Sequence, residues 1–321
     1  MFRKAIKLIS GYEYRNGGGI MIHSVIDIGS NSIRLSVYKN VGEGVINLFN
    51  DKIMAGLGGY VKKKKLSEKG IQRLIDSLIH HKNLIQNFED IKSTSVFATA
   101  SLRDLENYGE IKERVRIMTG FEIVLLSEKE EAMYSFIGAT QSYDAASGAL
   151  TDIGGGSTEM VYYKDRQITF SDSAKVGSLN LYHKFVERLI PTKEERKNME
   201  KYIKEQLKKL ELPEEPQEIL CVVGGTGRAS LRLYNEIYEK DPQNRVMDSK
   251  KFKNLIRRFE KMEVRETMNE ILSIKADRVH TLVPGMILLN QVRKATGSDW
   301  YVVSLTGVRE GYVYKKLLGG K

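Results

Sequence analysis

From Met21 onward, short runs of alternating apolar and polar residues give way to apolar residues at helical spacing, and the two patterns take turns along the chain. Val25 to Gly29, Arg34 to Lys39 and Val45 to Phe49 predict three successive strands, joined by a tight Gly-Ser-Asn-Ser turn and a second glycine-bearing turn. Ile71, Leu74, Ile75 and Leu78 then fall on one face of a helix predicted over 67–88. A strand over 95–98, helices over 102–118 and a strand over 122–126 complete the first half.

The second half repeats this plan. Strands are predicted over 148–153, 159–163 and 167–171, and Asp152-Ile-Gly-Gly-Gly-Ser echoes Asp27-Ile-Gly-Ser-Asn-Ser. A turn duplicated together with its flanking strands suggests two similar domains whose turns face each other across a cleft. Helices are predicted over 192–210, 228–239, 249–259 and 283–296, and the charged segment 211–218, with two prolines, reads as a connector.

Composition narrows the class. With 321 residues, 41% hydrophobic and 29% charged, the chain is long enough for two domains with substantial cores. Its one cysteine, Cys221, lies in the apolar run Ile219 to Val223 and reads as a buried strand residue. A single cysteine permits no intramolecular disulfide, which favours a cytoplasmic setting. No apolar run reaches the roughly 20 residues of a membrane span. Residues 1–20 end in Gly17-Gly18-Gly19 just ahead of Met21, as a translated ribosome-binding site would; we expect a non-native or disordered extension, with synthesis starting at Met21. The short apolar segment there lacks the cleavage site of a signal peptide.

The formal net charge of +10 favours polyanionic partners without choosing among them. Lys62 to Lys65 reads as a loop leading into a helix, either a solvated surface run or an extension of a substrate track. No zinc-finger spacing or RNA-binding aromatic motif occurs, so nucleic acid is disfavoured. His80 and His81 are adjacent on a helix and point to different faces, which argues against a metal pair.

The candidate chemistry lies in the glycine turns. A strand-end aspartate followed by glycines lets backbone N–H groups approach a phosphate, while the carboxylate holds a divalent cation; a plain hairpin turn is the other reading. Gly224-Gly225-Thr226-Gly227, after an apolar strand, is either an anion site at a helix N-terminus or close helix packing. Ser127 and Glu130 form a capping box, which leaves Glu131 either as a complement to the helix dipole or as a chemical group.

Six segments taken in order resemble the signatures of the exopolyphosphatase and guanosine pentaphosphate phosphatase (Ppx/GppA) family. These are 25–37, 98–107, 126–132, 151–161, Gly224 to Arg228 and Val283-Pro284-Gly285. The resemblance runs from about Val25 to Leu318 and matches the short, two-domain form. It implies an α/β fold of two ribonuclease-H-like domains of the actin, sugar kinase and Hsp70 superfold around an interdomain cleft. Domain I would comprise 22–128 plus about 306–321, and domain II 129–305.

By the same resemblance Glu131 would activate the attacking water. Arg103 would hold the terminal phosphate, unless it only pairs with Asp104 or Glu106. Gly29, Ser30, Asn31 and Ser32, with Gly154, Gly155, Gly156 and Ser157, would bind phosphates; Asp27, Asp152 and Glu159 would bind Mg2+ or another divalent cation. The implied activity is release of terminal orthophosphate from inorganic polyphosphate, with guanosine pentaphosphate as a second substrate and a homodimer as the assembly. A non-catalytic binder of polyphosphate or guanosine tetraphosphate and an ATP-dependent kinase are the alternatives. One departure is Ser304-Leu305-Thr306-Gly307, which lacks a charged pair common in the family.

Overall fold

The computed structural model describes residues 21–41, 44–141 and 146–319. The expectations for residues 1–20 lie outside the described residues. The chain divides into two units, one of 21–138 with 308–319 and one of 139–307. The division falls after Gly138, so the helix beginning at Glu128 goes with the first sheet, whereas the sequence reading put it with the second half.

In the first unit, β1 (Ile22–Ile28), β2 (Ile33–Val41) and β3 (Gly44–Ile53) form an antiparallel meander. The basic run does not form a plain loop. It makes the hairpin β4 (Val61–Lys62) and β5 (Lys65–Leu66), with Lys63 and Lys64 at positive φ in its turn. Helix α1 (Glu68–Ile85) starts at Ser67, whose hydroxyl accepts from the Gly70 N–H, and buries Ile71, Leu74, Ile75 and Leu78 against Ile26, Ile28, Ile33 and Leu35. β6 (Ile91–Ala98) follows, parallel to β1.

The helical stretch expected over 102–118 is two helices, α2 (Ala100–Arg103) and α3 (Tyr108–Thr119). They are separated because Asn107 exchanges two hydrogen bonds with the backbone of Leu66, and the Glu106 N–H donates to Lys64. β7 (Ile123–Leu125) closes the sheet in the order β3-β2-β1-β6-β7, and α4 (Glu128–Thr140) follows it.

The second unit opens on the meander β8 (Gly148–Ile153), β9 (Thr158–Lys164) and β10 (Gln167–Ala174). Helices α5 (Ser178–Phe185) and α6 (Lys193–Lys208) lead to β11 (Ile219–Val223), parallel to β8. Then come α7 (Gly224–Ile237), β12 (Val246–Asp248), α8 (Ser249–Lys261), α9 (Val264–Lys275), α10 (Leu282–Thr296) and β13 (Trp300–Val303). The sheet order is β10-β9-β8-β11-β13-β12. Val283, Met286, Ile287, Leu288, Leu289 and Val292 bury α10 on all sides, so it is the central helix of this core. Cys221 is buried in β11, and burial pushes its thiol up to about 12.

The last helix, α11 (Val308–Tyr312), belongs to the first unit, and the chain continues into a π-helical turn over 313–317. Among the described residues no helix is long and apolar enough to cross a membrane.

Candidate active site

The two Asp-Ile-Gly turns close in the same way. In the β1–β2 turn the Gly29 N–H donates to the Ser32 carbonyl at 3.1 Å, and in the β8–β9 turn Gly154 donates to Ser157 at 3.0 Å. Their carbonyls are occupied. Those of Ser30 and Asn31 accept from Gly58 and Gly56, each at 2.9 Å. Those of Gly154 and Gly155 accept from the first N–H groups of α5, and that of Gly156 from the Asn180 amide at 2.9 Å. The N–H groups of Ser30, Asn31, Gly155 and Gly156 make no hydrogen bond among the described residues. Carbonyls satisfied on one side and N–H groups left over on the other are the makings of an anion nest.

The glycine triplet also has a packing reason that the sequence reading missed. A Cβ on Gly177 would lie 2.4 Å from the Gly155 carbonyl carbon and 2.5 Å from the Gly156 nitrogen. Bare backbone on both sides lets the start of α5 rest directly on the turn. The Gly177-Ser178 pair ahead of an apolar run was the available signal.

Each turn carries a charged cross-strand pair. Asp27 stands directly opposite Arg34 on β2, whose Nε donates to the Ser32 hydroxyl at 3.2 Å. Asp152 stands opposite Glu159, which is 1% exposed and accepts from the hydroxyls of Ser157 at 2.7 Å and Ser173 at 3.1 Å. Gly224, at φ +87°, leaves space for Asp152: a Cβ there would lie 2.3 Å from its Oδ1. Gly227 lies against Val222 and Gly285 against Thr226, where Cβ atoms would come within 2.5 and 2.6 Å. The third glycine cluster and the Val-Pro-Gly motif therefore bring α7 and α10 close to the end of β8, which favours the packing reading.

Among the described residues no three His, Cys, Asp or Glu side chains converge as a closed metal site. Carboxylates alone, with coordination left over for phosphate oxygens, are nevertheless the donor set that Mg2+ takes in phosphoryl-transfer sites. Asp152 and Glu159, directly opposite each other on β8 and β9, supply two such carboxylates.

Glu131 occupies the first turn of α4. Glu130 performs the capping expected of it, accepting from the Ser127 N–H at 3.0 Å while its own N–H donates to the Ser127 hydroxyl at 3.2 Å. Glu131 is 7% exposed and is held by Arg103 Nη2. Arg103 does not pair with Asp104 or Glu106. Its Nε donates to the Leu126 carbonyl at 3.0 Å, and its Nη1 lies 3.4 Å from Glu128 Oε1. A guanidinium has five N–H groups, so two remain for another anion.

The seat of α4 is α11, which the sequence reading did not include in the site. A Cβ on Gly311 would fall 1.8 Å from the Tyr134 carbonyl oxygen, so the two helices touch backbone to backbone. Tyr312 stacks between Phe97 and Tyr134, and the buried Tyr38 hydroxyl donates to Glu310 at 2.6 Å. Burial and Glu310 raise the Tyr38 pKa, so this hydroxyl stays a donor.

The two adjacent histidines reach one acceptor, contrary to the helical-face argument. His81 Nε2 lies 3.1 Å and His80 Nε2 3.4 Å from Asp51 Oδ2, so two neighbouring positions of α1 reach one carboxylate of β3.

The Ppx/GppA phosphatase family profile matches residues 36–319. The chain is 28% identical over 315 residues to the bifunctional 3-dehydroquinate synthase/phosphatase of Fusobacterium nucleatum subsp. nucleatum, covering 93% of this chain and 46% of that protein. It thus spans about half the length of that relative. It is 23% identical over 308 residues to exopolyphosphatase 1 of Mycobacterium tuberculosis, covering 91% and 87% of the two chains. The crystal structure of the Aquifex aeolicus Ppx/GppA family member superposes with a TM-score of 0.77 at 26% identity, over 94% of this chain and 99% of that one.

Proposed function

Because the chain belongs to the Ppx/GppA phosphatase family, we propose that it is a phosphoanhydride hydrolase of the exopolyphosphatase type, releasing terminal orthophosphate from inorganic polyphosphate. The observation that carries this reading is Glu131, a nearly buried carboxylate that capping does not use and that a guanidinium holds in place.

In this proposal Glu131 takes the proton of a water whose oxygen attacks the terminal phosphorus in line. The bond from that phosphorus to the bridging oxygen breaks, and the shortened chain leaves with the negative charge. Arg103 fixes the carboxylate, and its two remaining N–H groups are available to the terminal phosphate. The N–H groups of Ser30, Asn31, Gly155 and Gly156 bind phosphate oxygens, and the hydroxyls of Ser32 and Ser157 line the same turns. Asp27, Asp152 and Glu159 are the carboxylates proposed to bind Mg2+, which when bound would neutralise charge developing on the phosphoryl oxygens. Guanosine pentaphosphate, which ends in the same phosphoanhydride, is proposed as a second substrate. An ATP-dependent kinase is the alternative, with Gly224 to Arg228 as its adenosine-side motif.

The test is orthophosphate release with Mg2+ from long polyphosphate, short polyphosphate and guanosine pentaphosphate, by wild type and Glu131→Gln. Release that the substitution removes supports the reading and ranks the substrates. Binding of polyphosphate without release of orthophosphate would replace it with a non-catalytic binder.

A further inference from the structure

The internal duplication extends sideways from each Asp-Ile-Gly turn. In the first unit Asp27 stands opposite Arg34 and Arg34 opposite Lys52, so one cross-strand row runs over β1, β2 and β3. In the second unit the matching row over β8, β9 and β10 is Asp152, Glu159 and Ser173. The match is by position. Asp27 and Asp152 are the last but one of β1 and β8, Arg34 and Glu159 the second of β2 and β9, and Lys52 and Ser173 the last but one of β3 and β10. Directly opposed residues share a face of their sheet.

The two rows agree in place and differ in chemistry. The first sets two cations beside its aspartate, whereas the second sets a further carboxylate and a hydroxyl there. Glu159 is 1% exposed, and a carboxylate so deeply placed needs donors. Ser157, in the turn, and Ser173, on the edge strand β10, both donate to its Oε1, at 2.7 and 3.1 Å. Two donors arriving from different segments hold the carboxylate in one orientation, as the outer partners of metal ligands do. The repeated fold does not demand serine at this place, since Lys52 occupies it in the first unit. The hydroxyl goes with the glutamate it serves.

We propose that Ser173 is a positioning residue for divalent-cation binding: together with Ser157 it fixes the Glu159 carboxylate beside Asp152 in the orientation that the cation requires. Mg2+ tolerates little departure from its preferred geometry, so a ligand free to turn binds it less well. Ser173 itself touches neither substrate nor reacting atoms in this account; it acts through Glu159. The inference rests on the metal part of the proposed function, and deepens it by adding a residue that the glycine turns do not contain.

Equilibrium titration with Mn2+ in the absence of substrate tests it, the free ion being measured by its electron paramagnetic resonance signal. Ser173→Ala should weaken Mn2+ binding about tenfold, the lower end for loss of an outer partner, and Glu159→Gln should weaken it at least as much. Ser173→Thr, which keeps the hydroxyl, should bind as wild type does. So should Ser171→Ala, which removes a hydroxyl two residues back on the same face of β10. In steady-state kinetics Ser173→Ala should raise the Mg2+ concentration needed for half-maximal rate and leave KM for polyphosphate at saturating Mg2+ unchanged. Wild-type Mn2+ affinity in Ser173→Ala, with Glu159→Gln weakened, would overturn this inference and leave the metal reading standing. Equal weakening by Ser171→Ala would overturn it too, because the loss would then come from the strand. Wild-type affinity in Glu159→Gln would remove the metal role of Glu159 and this inference with it.

Discussion

Arg103, at the end of α2, and Glu131, in the first turn of α4, form a largely buried ion pair, with side chains 14% and 10% exposed. The guanidinium is anchored from behind by the Leu126 carbonyl, so the carboxylate is held in one orientation by a rigid planar group. We expect Glu131→Gln to lower kcat by about 10²–10⁴-fold, the range for loss of a general base. Arg103→Lys keeps the charge but loses the fork. It should lower kcat by about 10²-fold with a smaller change in KM, as steady-state kinetics on polyphosphate would show.

The contact of Gly177 with Gly155 makes the glycine turn sensitive to one methyl group. Gly177→Ala should displace α5 from the turn, costing about 1–3 kcal/mol as overpacking does. Because the same helix start occupies the carbonyls of Gly154 and Gly155, KM for polyphosphate should rise as well. Urea denaturation together with initial rates will show whether both move.

Gly311→Ala should act through α4. The added methyl cannot fit beside the Tyr134 carbonyl, and Tyr134 is one turn beyond Glu131, so relief requires the helix carrying Glu131 to shift. The expected outcome is lower kcat in protein that remains folded at low temperature, with polyphosphate binding retained. Wild-type kcat in a folded variant would remove α11 from the account of the site.

Stability should depend on pH near neutrality through His81. Burial holds its pKa below the ordinary 6.5, Asp51 pulls it upward, and His80 adds to the lowering. The unfolded chain binds this proton more readily, so the stabilisation is present above pH 6.5 and is lost as pH falls from there toward the folded value. His23 and His280 shift in the same direction, mainly by burial. Urea midpoints at about pH 7.5 and about pH 5.5 should therefore differ. The difference should shrink in His81→Gln.

Both meanders, the paired turns and the amphipathic helices were legible because each depends on residues close together in the chain. Ile71, Leu74, Ile75 and Leu78 announce α1, and the Ser127–Glu130 cap is written in four consecutive positions. What local pattern misjudged had a long-range cause. The stretch around Asn107 breaks into two helices because Leu66, 41 residues away, takes its side chain. Periodicity could not separate α5, only eight residues long, from a loop.

The sequence by itself determined the repeated Asp-Ile-Gly turns, the resemblance to the family and the identity of Glu131, since these are matters of residue type and near-neighbour spacing. Only the tertiary structure decided how those residues are held. Arg103 meets Glu131 across 28 residues, Tyr38 meets Glu310 across 272, and glycines 177, 224 and 311 are required by backbone or carboxylate atoms that packing brings against them. Such contacts arise from close packing of whole elements, where one methyl group is the difference between fit and clash, and no local pattern encodes the neighbour that supplies it.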